Sequence, residues 1–309
     1  MTYLKYIGKR LLLLIPVIVG ITFVLYFIMA LSPGNPAQLI LGADATAEQI
    51  QALEEEMGLN DPIIVQYLNY MLGVIRGDFG TSWVSGYNVL GEFILRIPNT
   101  LLIAVLATVG AVALGIPMGI YSAVKQYSLF DYGGMVVAML LFSVPAFWLG
   151  IMCQILFCLI LGWLPAAGDE SLRYFILPSI VLGANTFASM IRMARTSMLD
   201  VIKQDYIRTA RAKGAPERRV IMRHGVRNGL IPVITQIGIS FAGAVGGAIV
   251  TETIFAINGV GMLLLNAVKS RDIPVVMGTV IFVAAIVGII NLVVDLICAK
   301  VDPRIDLAS

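Results

Sequence analysis

Long runs without a charged residue alternate along this chain with shorter polar segments. A helix needs about 20 apolar residues to cross the roughly 30 Å hydrocarbon core of a bilayer. Because the runs are continuously apolar and do not alternate at a period of two, they predict spanning helices and not the strands of a β-barrel. Six runs reach the required length: Leu11–Leu31, Ile97–Val124, Tyr132–Gly168, Tyr174–Ile191, Asn228–Thr251 and Ile273–Val294.

Two of the six runs allow more than one interpretation. A split of the third run at Pro145 leaves its first part too short to cross a bilayer, so we predict one helix that is kinked near this proline. The first run follows Lys5, Lys9 and Arg10, as a signal peptide would. It exceeds the roughly 7 to 15 residues of a signal h-region, and we therefore predict an uncleaved span.

These runs predict an all-α membrane protein with six transmembrane helices. Of the 309 residues, 59% are hydrophobic and only 13% are charged, which is outside the balance of soluble domains. We expect residues 1–96 to hold the first span and an extracytoplasmic helical segment. Residues 97–299 would form a five-helix core with a cytoplasmic loop at 192–228, and residues 300–309 a cytoplasmic tail.

The distribution of Lys and Arg predicts the orientation in the membrane. With six spans both termini lie on the same face, together with the basic stretch from Arg192 to Arg227. The opposite face has few basic residues in its short loops, and long loops contribute little to the positive-inside rule. We therefore predict a multi-pass protein of the cell membrane with both termini cytoplasmic. The net charge of +2 gives no reason to expect binding to nucleic acid.

The polar segment between the first two spans has the pattern of two amphipathic helices. Thr46 and Gln49 have the spacing of a capping box, and the helix that they begin is predicted to end near Gly58. Asp61 and Pro62 precede a second predicted helix, Ile63–Ile75. Amphipathicity alone leaves two roles open, a docking platform or gate cover and a cap that packs over the bundle.

The basic loop is predicted to form an elbow of two helices. Ser197–Lys213 lacks Gly and Pro and predicts a continuation of the fourth span, and Gly214 suits a left-handed C-cap. Pro216 and Glu217 suit the first turn of a second helix that ends near Arg227. Two interpretations stay open from the residues alone. The cations lie on anionic lipid, or the short helix fits a groove on a cytoplasmic partner.

Polar residues within the spans are candidates for a substrate path. They are costly against lipid, so they face either protein or a water-filled path, and helix-to-helix bonding is the alternative. Glu252 has the charge to meet a substrate ammonium group. The glycine pairs Gly115 with Gly119 and Gly243 with Gly247 predict close helix packing. The candidate path residues are Asn185, Gln236, Glu252 and Asn291.

The motifs of common enzymes are absent from the sequence. There is no GxxxxGK[ST] phosphate loop and no HExxH zinc motif, and Cys153, Cys158 and Cys298 have no metal-ligand spacing. His224, the single histidine, lies in the basic loop and not beside an intramembrane serine. We therefore expect no catalytic residue, no metal site and no cofactor on this chain. A stand-alone secondary transporter stays open as an alternative class, although such proteins usually have repeated halves and midplane charges.

The stretch DYIRTARAKG followed by ERRVIMRHGVRNGLIP resembles a specific family. Three further stretches agree in order: SPGNPAQ, ETIFAINGVGMLLLNAVKSRDIPVVMG and NLVVDLICAKVDPRI. The chain resembles, nearly end to end, the permease subunits of binding-protein-dependent ABC importers of the dipeptide, oligopeptide and nickel group. Arg208, Thr209 and Ala210 stand where the general importer pattern has Glu-Ala-Ala, and Asn258 stands where the family usually has proline.

The resemblance implies a division of labour among subunits. A homologous second permease would complete the path, two cytoplasmic subunits would bind ATP and Mg²⁺, and an extracytoplasmic binding protein would deliver the substrate. Peptides are the implied substrate, with nickel or a nickel chelate as the alternative. The elbow would be the coupling helix that the ATPase subunit grips. The residues implied in that contact are Asp205, Arg208, Ala210, Gly214, Glu217, Arg218, Arg219, Arg223 and His224.

Overall fold

The computed structural model describes residues 3–42 and 44–301, and this part of the chain is almost entirely helical. Its one β-type pairing is an isolated bridge between Thr81 and Asn88. Single π-helical segments follow α7, at Gln154–Ile160, and α10, at Val220–Val226. The α-helices are α1 (Tyr3–Leu31), α2 (Pro36–Leu41), α3 (Ala47–Glu56), α4 (Ile63–Ile75), α5 (Val89–Val124), α6 (Leu129–Ser143), α7 (Ala146–Cys153), α8 (Leu172–Ile202), α9 (Asp205–Ala212), α10 (Glu217–Arg219), α11 (Arg227–Gly229), α12 (Ile231–Phe255), α13 (Val260–Ser270) and α14 (Ile273–Val301).

Helices α1, α5, α8, α12 and α14 are each long and apolar enough to cross a membrane. The remaining predicted span, the third along the chain, is α6 followed by α7 and its π-helical extension, but these two parts meet at 103°. The expected kink is thus a complete break. Val144 and Pro145 both have extended backbone, with ψ of 125° and 135°. The residue before a proline is pushed out of the helical region, and here the helix ends instead of bending.

The second span begins earlier than its apolar run. Helix α5 starts at Val89 with Asn88 as its N-cap, whereas the run starts at Ile97, so the expected boundary between residues 96 and 97 lies inside a helix. Glu92 and Arg96 interrupted the run, but they are one helical turn apart and form an ion pair. Paired charges on a helix end are compatible with a helix that continues into the membrane.

The center of the bundle is the tight pair α5 and α8. A methyl group added at Gly119 would lie 2.5 Å from the carbonyl oxygen of Ile191, and one added at Gly183 would lie 2.8 Å from that of Ala107. Gly115 is similarly close to Met190. The predicted close packing at Gly115 and Gly119 is confirmed. Gly243 and Gly247 have no atom of the described chain within 4 Å of such a methyl group.

The segment between the first two spans has the two predicted helices. Thr46 and Gln49 form a complete capping box on α3, and Gly58 follows this helix with a φ of +68°. Helix α4 spans Ile63–Ile75, as predicted. The short α2, which was not predicted, begins at Pro36 behind an Asn35 cap.

Two side chains tie this segment to the turn between α13 and α14. The Arg271 guanidinium donates to the carbonyls of Ser32 and Gly34 at 2.9 and 2.8 Å. Asp272 is buried and accepts from the Ser82 hydroxyl and from the Trp83 amide. These contacts define one end of the bundle, which we call the segment end.

The opposite end carries residues 203–230, and we call it the loop end. Tyr6 donates to Asp295 at 3.1 Å and Arg10 pairs with the same carboxylate at 2.8 Å, so the start of α1 lies beside the last turns of α14. The predicted tail, residues 300–309, falls outside the described residues from position 302 onward.

Candidate functional site

The basic loop is a helix–turn–helix elbow, with one difference from the prediction. The helix expected over Ser197–Lys213 is interrupted, because α8 ends at Ile202 and Gln204 has extended backbone before α9 begins. Asp205 lies in the first turn of α9, where a negative charge is stabilised by the amide groups of the helix N-terminus. In a continuous helix the amide groups near Asp205 would already be bonded within the helix and could not stabilise its charge.

Gly214 forms the predicted left-handed turn between the two arms. Its φ is +78°, and its amide donates to the carbonyl of Arg211 at 2.9 Å. The amide of Ala215 reaches back to the carbonyl of Ala210 at 3.4 Å. These bonds satisfy carbonyls at the end of α9, and the positive φ favours glycine.

The second arm runs without a loop into a spanning helix. Pro216 caps α10, and α10, the π-helical segment Val220–Val226 and α11 lead directly into α12. The elbow and α12 are thus joined without an intervening loop, and Leu230 is the single turn residue between α11 and α12. The π-helical geometry and the separate short helices were not predicted.

An ion pair closes the elbow across its turn. Arg211 donates through Nε to one Glu217 carboxylate oxygen at 3.0 Å and through Nη2 to the other at 2.7 Å. The Arg211 guanidinium lowers the pKa of the Glu217 carboxyl. Arg211 is not among the residues implied by the family resemblance. The sequence does hint at this pair, because a basic and an acidic residue stand on opposite sides of the glycine at which the chain turns.

One face of the elbow is buried and the other is open. Ile207, Val220 and Ile221 are buried, and Ile221 packs beside Met198 of α8. The open face carries two large exposed side chains, Tyr206 and Met222. Of the implied contact residues, Ala210 and His224 are half-buried; the exposed ones are Asp205, Arg208, Gly214, Glu217, Arg218, Arg219 and Arg223.

A buried ion pair that the sequence did not reveal joins α6 and α8 at the loop end. Arg195 of α8 donates twice to Asp131, at 2.6 and 2.8 Å. Asp131 also accepts from the Ser122 hydroxyl near the end of α5 and from the Tyr127 amide. One carboxylate thus joins α5, α6 and α8 at the loop end. The SxxD spacing of Ser128 and Asp131 predicts the start of a helix, but it does not predict the pairing with Arg195.

The four candidate path residues do not lie together. Gln236 is half-buried and lines a cavity of about 480 Å³ with Ser189 and Arg192. Asn185 is exposed on α8, one turn from Ser189 toward the segment end. Asn291 is exposed on α14 between Gly288, which packs on Leu14 of α1, and Asp295. It therefore lies toward α1, away from the cavity.

Glu252 makes structural contacts instead of facing a substrate path. It is fully buried, and its two carboxylate oxygens accept from the Thr100 hydroxyl at 2.6 Å and the Met262 amide at 3.0 Å. A methyl group added at Gly259 would lie 2.2 Å from its carboxyl carbon. The carboxylate therefore joins α5, α12 and α13 at the segment end. The expectation that Glu252 meets a substrate ammonium group is not supported by this geometry.

Asn258 lies in the turn between α12 and α13 and makes a backbone hydrogen bond that proline could not make. Its amide donates to Asp169 at 3.3 Å, and its side-chain oxygen accepts from Arg96 at 3.0 Å. The Asn99 side chain bonds both the Asp169 carboxylate and the Asn258 carbonyl. Asn99 therefore joins elements of the fold, which was the alternative left open for polar residues within the spans.

The geometry defines a class: a polytopic helical membrane protein whose spanning helices meet a structured elbow at the loop end. Across residues 3–42 and 44–301, no group of three His, Cys, Asp or Glu side chains is placed to hold a metal ion. The chain belongs to the binding-protein-dependent transport system inner membrane component family, whose model matches residues 115–307. The N-terminal model of the same membrane component matches residues 3–104.

Named relatives and a solved structure agree with this assignment. The dipeptide transport system permease protein DppB of Alkalihalophilus pseudofirmus is 42% identical over 98% of this chain and 99% of its own length. The oligopeptide transport system permease protein AppB of Bacillus subtilis is 40% identical over 97% and 99%. A chain of the MetNI methionine ABC transporter in an inward-facing crystal form matches with a TM-score of 0.59 at 17% identity. It covers 68% of this chain and 96% of its own. This last match concerns the fold alone.

Proposed function

We propose that this chain is one of two membrane-spanning subunits of an ATP-driven importer of dipeptides or oligopeptides. The observation that carries the proposal is the 42% identity, over 98% of the chain, with a dipeptide transport permease. The chain forms the path together with a homologous second permease, and separate subunits bind ATP and Mg²⁺. The extracytoplasmic binding protein selects the substrate and docks at the segment end.

The elbow is the proposed contact with the ATPase subunit. Its buried face is fixed to α8 through Ile221, and its open face combines Arg218 and Arg219 with the exposed Met222. A mixed basic and apolar helix of this kind fits a groove on a partner. Because α12 follows without a loop, closure of the ATPase subunits would move this spanning helix directly. The loop end is then cytoplasmic, which agrees with the positive-inside rule.

The proposed partner permease packs against an exposed stripe of α12. Gly243 and Gly246 lie in the middle of this stripe, and neither has an atom of the described chain within 4 Å of an added methyl group. Small residues let a second helix approach closely within a membrane. The exposed positions recur at the alternating spacings of three and four residues that suit helix pairing. They are Ile239, Gly243, Gly246, Val250 and Thr253.

Uptake measurements with the partner subunits held constant test the proposal. Cells with and without this chain are given labelled dipeptide and labelled nickel in parallel, and a variant of the ATPase subunit without ATP hydrolysis is the control. We expect dipeptide uptake that needs both this chain and ATP hydrolysis. Nickel uptake alone would replace the peptide by a metal, and uptake independent of ATP hydrolysis would contradict the importer class.

A further inference from the structure

Helix α8 has one polar face in its loop-end half. Asn185, Ser189, Arg192 and Thr196 follow each other at spacings of four, three and four residues, so they share one side of the helix. The remaining sides are packed against the bundle at this level. Their buried residues are Ala188, Met190, Ile191 and Ala194. Because polar groups within a span are costly against lipid, this face points to a water-filled space.

A cavity of about 480 Å³ opens on this face. Three helices line it, namely α6, α8 and α12, and Arg192 is the one charged residue among the described residues that line it. The volume is within the range of small-molecule sites, roughly 300 to 1,000 Å³. The lining residues are Phe142, Ser189, Arg192, Met193, Thr196 and Gln236.

Arg192 has no carboxylate partner within the described part of the chain. No Asp or Glu oxygen there lies within 4.0 Å of its guanidinium, which instead lies 4.4 Å above the ring of Phe142. Arg195, three residues further along α8, is fully engaged by Asp131. The Phe142 ring holds the guanidinium at the cavity wall without neutralising its charge.

We propose that this cavity is a substrate station in which Arg192 binds the α-carboxylate of a peptide, an inference that rests on the proposed function. A planar guanidinium offers two parallel N–H groups to a carboxylate. Ser189, Thr196 and Gln236 supply neutral partners for the amide groups of the peptide. Among the described residues no acidic side chain lines the cavity, so they offer the peptide amino group no counter-charge there. The peptide is thus held with its carboxyl end at Arg192.

An anionic lipid headgroup presents similar chemistry, because Arg192 lies where the apolar run of α8 ends. A lipid contact would depend on the membrane composition, whereas a substrate contact would depend on the carboxylate of the peptide. The two sources are separated by changing the lipid and the peptide independently.

The test uses the complete transporter, with its partner subunits and binding protein, in liposomes. The variants are Arg192→Gln and Arg192→Lys. The matched control is Arg173→Gln, which makes the same substitution at an exposed position near the other end of the same helix. The quantity measured is peptide transported per ATP hydrolysed, for a labelled dipeptide, in liposomes of zwitterionic lipid and in liposomes that also contain phosphatidylglycerol.

We expect Arg192→Gln to lower this ratio about tenfold, equivalent to about 1.4 kcal/mol, because a neutral amide forms a weaker hydrogen bond with a carboxylate than a guanidinium does. Arg192→Lys should recover part of the loss, Arg173→Gln should behave as wild type, and the lipid composition should not matter. An unchanged ratio in Arg192→Gln would overturn the proposal, as would a defect confined to phosphatidylglycerol liposomes or an equal loss of ATPase activity and transport. Absence of dipeptide transport by the wild type would instead refute the proposed function.

Discussion

Arg211 and Glu217 form a two-bond ion pair across the Gly214 turn, with nitrogen to oxygen distances of 2.7 and 3.0 Å. The pair joins the last turn of α9 to the first residue of α10. Both side chains are substantially exposed, so solvent screens the attraction and its contribution to stability is small, about 0 to 1 kcal/mol. Its consequence is geometric, because it spans the Gly214 turn and so restrains the angle between the two arms of the elbow.

Glu217→Gln should therefore uncouple the transporter without unfolding it. We expect little change in the melting temperature of the purified complex and a clear loss of peptide transported per ATP hydrolysed. The exchange variant Arg211→Glu with Glu217→Arg restores a pair of opposite charges and should recover part of the coupling. Full coupling in Glu217→Gln would show that the pair has no role in setting the elbow.

The lowered pKa of Glu217 predicts that the effect of this pair does not change between pH 7 and pH 5. Arg211 lowers the pKa of the Glu217 carboxyl from its ordinary value of 4.5, so the carboxylate stays charged at pH 5. The small stabilisation is present above the unfolded pKa and is lost only as the pH falls through the lowered folded pKa. Between pH 7 and pH 5, coupling in the wild type relative to Glu217→Gln should stay constant. A wild-type advantage that disappears already at pH 6 would contradict this assignment.

Gly214→Val should abolish uptake while the chain still inserts into the membrane. The φ of +78° costs a residue with a Cβ about 1 to 2 kcal/mol, and more when that residue is β-branched. Gly214→Asn is the matched variant, because Asn tolerates this conformation best among residues with a side chain, and it should retain most of the uptake. Gly86→Val applies the same strain at the segment end, where φ is +73°, and should leave the ATPase contact intact. Normal uptake by Gly214→Val would remove the reason for assigning the turn to coupling.

The sequence was sufficient for the features that depend on local chemistry. The capping box at Thr46, the helix over Ile63–Ile75 and the left-handed Gly214 all follow from residues within one turn. The break at Pro145 was underestimated, because a proline within a helical pattern is compatible with either a kink or a helix end, and here Val144 and Pro145 both have extended backbone.

Contacts between residues far apart in the sequence could not be predicted from it. Glu252 was one of four candidates for the substrate path, as an acid near the end of a span, yet Thr100, 152 positions away, occupies one of its oxygens. Asp131 and Arg195 are separated by 64 positions, and neither was singled out. A one-dimensional pattern gives the cost of burying a polar group in a membrane, but it does not give the partner that offsets this cost.

Gly259→Ala should destabilise the segment end. Its added methyl group would lie 2.2 Å from the carboxyl carbon of Glu252, which is itself held by Thr100 and Met262 and has no room to move. We expect a loss of about 1 to 3 kcal/mol, as for other overpacked sites, seen as a lower melting temperature in detergent. Gly20→Ala is the control, since a methyl group at that position would meet no other segment of the described chain within 4 Å. Equal melting temperatures for the two variants would contradict the contact.

Asp131→Asn should cost far more stability than any substitution in the elbow. Asp131 is 2% and Arg195 20% exposed, so removal of the carboxylate charge leaves a largely enclosed guanidinium without its partner. Breaking a buried pair typically costs about 3 to 5 kcal/mol, because the remaining charge stays enclosed without a counter-charge. The double variant Asp131→Leu with Arg195→Met removes both charges and should be more stable than Asp131→Asn alone, although the hydrogen bond from Ser122 is also lost. Thermal unfolding of the wild type, Asp131→Asn and the double variant gives this comparison directly. A double variant less stable than Asp131→Asn would mean that the hydrogen bonds to Ser122 and Tyr127, and not the ion pair, hold α5, α6 and α8 together.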